Sequence, residues 1–253
     1  MPRTNPLDAQ HAPDFSPSTQ GAAPRARAFG AALVVIVGSV LFLAGGRQHP
    51  SINAGLGATA DEFFRAFADK IQHTHGWHEM HLMILVGPLC WAVAAPALLD
   101  VLRPAARPVT SIARSLLLLA GALWAVAFVL DGFAAPIFAE AIANAATPEI
   151  ASSVLVSFRA EAVTMSRLGL LSWIMSGLAI VILGGSLLAR DVRTPWRAVV
   201  GLSGIVLGAW PLLATMQGEY AAGPFTSRFW MINALSAGLW FISLGSCAFR
   251  RAR

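Results

Sequence analysis

Six apolar runs, each long enough to cross a bilayer, constrain this chain more than anything else in it. A hydrocarbon core of about 30 Å takes roughly 20 apolar residues in helical form. Runs of that kind fall at about 28–45, 78–102, 112–130, 165–189, 198–216 and 229–248, the fourth being the spanning part of a longer helix that starts at Glu149 and carries Arg159, Glu161 and Arg167 in its outer part. Lipid offers no hydrogen bonds to the backbone, so apolar runs of this length must satisfy their own amides as helices. The composition agrees, with 56% hydrophobic and 12% charged residues, the latter about half the share in a soluble domain. The expected fold is all-α, a transmembrane bundle of six helices forming one domain over 28–253. Residues 1–27 lack periodicity, are rich in Pro, Ser and Gln, and read as a disordered tail.

Charge sets the expected orientation. Twelve of the eighteen basic residues (Arg3, Arg25, Arg27, Arg103, Arg107, Arg114, Arg190, Arg193, Arg197, Arg250, Arg251 and Arg253) fall on the side that carries both termini. The positive-inside rule makes that side cytoplasmic. The first apolar run ends without a clean small-residue cleavage site, so it reads as a retained helix, not a leader. The expected setting is a bacterial inner (plasma) membrane, crossed several times, with the lipid bilayer as the main partner. The basic residues are dispersed and not interleaved with aromatics, which argues against nucleic acid as a partner. Cys90 and Cys247 should differ in depth by roughly 15 Å, too far for a disulfide.

The first outer loop carries ATADEFFRAFADKIQ, with Phe63, Phe64, Phe67 and Ile71 at helical spacing. Thr59 and Glu62 have the spacing of a capping box. This predicts an amphipathic helix lying along the membrane interface. Four histidines follow within nine residues: His73, His75, His78 and His81. They sit where water gives way to the second apolar run.

His78 and His81 are three residues apart and share a helix face. His75 joins that side if the helix begins a turn earlier. Imidazole is a common ligand for zinc or copper, so His75, His78 and His81 form one candidate metal set. Met80 and Met83 offer sulfur to copper. A b-type haem would need one axial histidine from each of two helices, and His49 with His78 or His81 is the available pair. Asp131 ends the third apolar run, at a depth where a carboxylate needs a partner. Arg159, Arg167 or a histidine of the cluster is at the right level, and Glu140 and Glu161 are weaker versions of the same case. The candidate polar site is thus His49, His78, His81, Asp131, Glu140 and Arg167. The equally simple alternative is that these groups are solvated or meet lipid headgroups.

The spacing His78-Glu79-Met80-His81 is not the zincin motif, and no nucleophile elbow, P-loop or dinucleotide fingerprint occurs. Three function classes remain. The first is a membrane protein whose working surface is this polar outer rim. The second is a metal- or haem-binding redox protein or enzyme using the same residues. The third is a small secondary transporter, against which stands the lack of charge in the middle of helices one, two, five and six.

The pattern resembles a broad set of uncharacterised bacterial polytopic integral membrane proteins over residues 30–145. In these a Gly-rich turn and His-Pro end the first helix, as in Gly45-Gly46-Arg47-Gln48-His49-Pro50. A Trp and a His open the second, as in Trp77 with His78 or His81. The third runs into Asp131-Gly132, with Glu140 nearby. The resemblance implies a helical bundle with a polar outer cluster of His49, His81 and Asp131.

Overall fold

The computed structural model describes residues 22–50, 59–102, 107–189, 195–216 and 227–252. Most of the tail (1–21) lies outside the described residues, but Ala22 onward is already helical. Among the described residues the structure is all helix, with no strand. The elements are α1 (Ala22–Gln48), α2 (Ala60–Gln72), α3 (Trp77–Leu102), α4 (Arg107–Val129), α5 (Ala135–Ala143), α6 (Pro148–Leu188), α7 (Pro195–Met216) and α8 (Ser227–Ala252). A single π-helical turn, Leu130–Ala134, joins α4 to α5. Six of the helices are long and apolar enough to cross a membrane.

The six spans close into a ring. α1 packs on α3 and α8, α3 on α4, α4 on α6, α6 on α7, and α7 back on α8. Large apolar side chains such as Leu33, Val93, Val156, Val206 and Leu239 point outward and remain exposed. That is the arrangement of a bundle whose solvent is lipid. Lipid gives no hydrophobic reward for helix association, so close packing must supply the attraction. α6 and α7 show how: a Cβ on Gly208 would stand 2.5 Å from the Gly177 carbonyl oxygen, so only glycine permits this approach.

The interior is apolar and aromatic. Trp91 stacks on Phe241 at 4.5 Å, and Trp124 stacks on Phe128 at 4.7 Å and meets Trp173 edge-on at 5.1 Å. Ser39 and Trp91 satisfy their polar atoms locally. Trp91 Nε1 donates to Ser39 Oγ at 2.8 Å, and Ser39 Oγ donates to the Val35 carbonyl at 2.7 Å.

α2 is the amphipathic helix expected in the first outer loop. Its apolar face (Phe64, Phe67, Ala68 and Ile71) is buried against α5 and α6, roofing one end of the bundle. Its predicted capping box is present, with Glu62 Oε2 accepting from the Thr59 amide at 2.7 Å. Arg65 donates to Ser152 at 3.1 Å, and Arg159 of α6 reaches Asp61 at 3.8 Å. Burying Phe64, Phe67 and Ile71 against protein stabilises the helix by several kcal/mol at about 1.5–3 kcal/mol each, which outweighs two exposed polar contacts worth up to about 1 kcal/mol each.

Candidate metal centre

Three helix ends build the site, all beneath the roof formed by α2. Gly76 turns the chain out of α2 with φ +73°, and its carbonyl accepts from the Met80 amide at 2.9 Å to start α3. That start places Trp77 and His81 one turn apart on a single face. α1 runs one residue beyond its helix to His49. At the end of α4 the backbone slips into the π-helical turn, and Asp131 lies within it, buried. Such a turn re-aims side chains relative to a regular helix and is frequent at functional sites.

The π-helical turn is pinned from α3. Trp77 Nε1 donates to the Asp131 carbonyl at 2.7 Å, and His78 Nδ1 donates to the Gly132 carbonyl at 2.6 Å. Gly132 is needed for this contact, because a Cβ there would stand 2.7 Å from His81 Cβ.

The side chains of His49, His81 and Asp131 converge. One ligand atom from each lies within 4.8 Å of the others. His81 Nε2 is 3.0 Å from Asp131 Oδ2, and His49 Nε2 is 3.8 Å from the same oxygen. The imidazole rings meet edge-on with centroids 5.3 Å apart. Trp77 covers both, 5.5 Å from His49 and 4.6 Å from His81. The His81 side chain is fully buried, Asp131 is 9% exposed and His49 is 31% exposed, so access is past His49.

The tautomers follow from the backbone. His81 Nδ1 is 2.7 Å from the Trp77 carbonyl, and His49 Nδ1 is 3.1 Å from the Pro50 carbonyl. A carbonyl only accepts, so each Nδ1 carries the proton. In the neutral ring Nε2 is then a bare lone pair, and in both histidines it faces a carboxylate. His81 Nε2 and Asp131 Oδ1 are buried with no hydrogen-bond partner. Lone pairs facing one another in a dry site need a cation between them, either a proton on Nε2 or a bound metal ion.

The sequence-predicted residues part company here. His49, His81 and Asp131 are brought together. The candidate metal set His75, His78 and His81 is divided. His75 lies exposed in the turn before α3, and His78 is held to the Gly132 carbonyl. His75 and His78 instead line a cavity of about 480 Å³ with Glu79, Glu140 and Asn144. Arg167 is exposed and makes no ion pair with Asp131 among the described residues. The π-helical turn was not predicted. The Asp-Gly pair followed by Pro136 signals a break in the helix, but not a bulge that keeps the helix running.

Comparison with known protein families, curated proteins and solved structures gives no match.

Proposed function

We propose that this multi-pass membrane protein binds one divalent transition-metal ion through His49 Nε2, His81 Nε2 and the Asp131 carboxylate. A single observation carries the reading. Two imidazoles present Nε2 to one buried carboxylate while each commits Nδ1–H to a backbone carbonyl. That second bond is what fixes and polarises metal-ligating histidines. Neighbouring ligand atoms around a tetrahedral zinc stand roughly 3.3 Å apart, and the two nitrogen–oxygen separations of 3.0 and 3.8 Å bracket that spacing. Two imidazoles and a carboxylate suit zinc or ferrous iron and leave coordination positions open for chemistry.

The same geometry weighs against haem. Axial histidines lie on opposite faces of a flat macrocycle, whereas these rings meet edge-on at 5.3 Å around a shared carboxylate. The dispersed arginines support both termini in the cytoplasm and the site opening to the outer face of the plasma membrane.

Elemental analysis of protein purified without chelator tests the reading. One zinc or iron per chain is expected, falling below a tenth in His81→Ala and Asp131→Asn and unchanged in His75→Ala. Equal metal in all four proteins would refute the assignment.

A further inference from the structure

Glu161 is the second buried carboxylate near this site. Both of its side-chain oxygens are buried without a hydrogen-bond partner. Neither arginine of its helix serves it: Arg159 reaches Asp61, and Arg167 is exposed. Phe158, one turn away, packs against Phe64 and Phe67 of the roof at 6.1 and 5.4 Å, which closes Glu161 off from water on that side.

The helix register places it on the roof side of the metal centre. α4 and α6 are antiparallel and meet at Trp124 and Trp173. Counting outward from that contact at ~1.5 Å per residue puts Glu161 roughly 7 Å nearer the roof than Asp131. A glutamate side chain and one water span that gap.

Charge completes the case, and it rests on the metal reading above. A divalent ion with neutral His49, neutral His81 and one Asp131 carboxylate leaves a single positive charge in a dry site, where uncompensated charge is costly. We infer that Glu161 is the positioning carboxylate of the metal centre. It balances this charge and accepts a hydrogen bond from water held at an open coordination position. It therefore selects water or an uncharged oxygen donor there and keeps anions out.

Cobalt(II) is a visible probe for this site, and azide is an anion that reports on the open position. The protein is loaded with cobalt(II) in detergent, and azide is titrated while the visible bands are followed. Glu161→Gln keeps the shape and removes the charge, so azide should bind at least about tenfold more tightly than in the unaltered protein. Cobalt(II) itself should bind about 10-fold more weakly, in the range usual for groups that support metal ligands. Cobalt bands with equal azide affinity in the two proteins would overturn this inference alone. The absence of bands in the unaltered protein would overturn the metal reading and this inference with it. Should Glu161→Gln not fold, Glu161→Asp draws the charge back by one methylene, and azide should then bind about threefold more tightly. An unchanged value in that variant would also overturn it.

Discussion

Asp131 and His81 show why single residues matter here. His81 is held by one hydrogen bond, to the Trp77 carbonyl, and its other nitrogen faces Asp131 at 3.0 Å. Gly132 sets the distance between them. A methyl group there would stand 2.7 Å from His81 Cβ, an overlap that costs about 1–3 kcal/mol through forced shifts. Gly132→Ala should therefore lower thermal stability in detergent and weaken metal binding at least tenfold, since His81 must move. Scanning calorimetry and a zinc titration check both. Zinc affinity equal to that of the unaltered protein would mean that the contact does not set the site. His49, His81 and Asp131 were legible in the sequence as isolated polar residues at apolar helix ends. Their convergence was not, because spacing along one helix favours His75, His78 and His81. The true partners of His81 come from α1 and the π-helical turn, 32 and 50 residues away in the chain.

Among the elements, α2 is the roof over this end of the bundle. Periodicity predicted the helix and its capping box, and both are present. Whether its apolar face meets lipid or protein could not be read from the pattern, since either surface buries the same stripe. The cap makes the roof sensitive to acid. Hydrogen bonds from the Thr59 amide and hydroxyl hold the Glu62 carboxyl below its ordinary range. A group whose folded value is depressed stabilises above its unfolded value, and that contribution fades as pH falls through the folded one. The first turn of α2 should thus exchange its amide hydrogens faster below about pH 4 than at pH 7, after correction for intrinsic rates. Thr59→Ala should show the faster exchange already at pH 7. Identical protection in both proteins at pH 7 would show that the cap does not hold the roof.

At the scale of the whole molecule, six apolar helices among the described residues close into a ring, and His49, His81 and Asp131 meet at one end of it. Hydropathy made the spans legible because lipid imposes length and composition directly. The observed helices overrun the apolar runs at their ends, most of all in α6, which begins at Pro148, beside the helical start expected at Glu149, and carries Glu161 into the site region. Amphipathic protein contacts hold the stretch ahead of the apolar run. The arginine distribution predicts cytoplasmic termini. A fluorescent protein fused after Arg253 should be bright and an alkaline phosphatase fused there, which needs periplasmic disulfides, should be inactive; the reverse pair of signals would invert the topology and move the site to the other face.

The central claim is that His49, His81 and Asp131 hold one metal ion beneath the α2 roof. X-ray absorption at the zinc edge of the purified, zinc-loaded protein tests it most directly. The account predicts a first shell of nitrogen and oxygen at about 2.0–2.2 Å with outer-shell scattering from two imidazoles, reduced to one imidazole in His49→Ala. A spectrum of hydrated zinc, or one unchanged by His49→Ala, would contradict it.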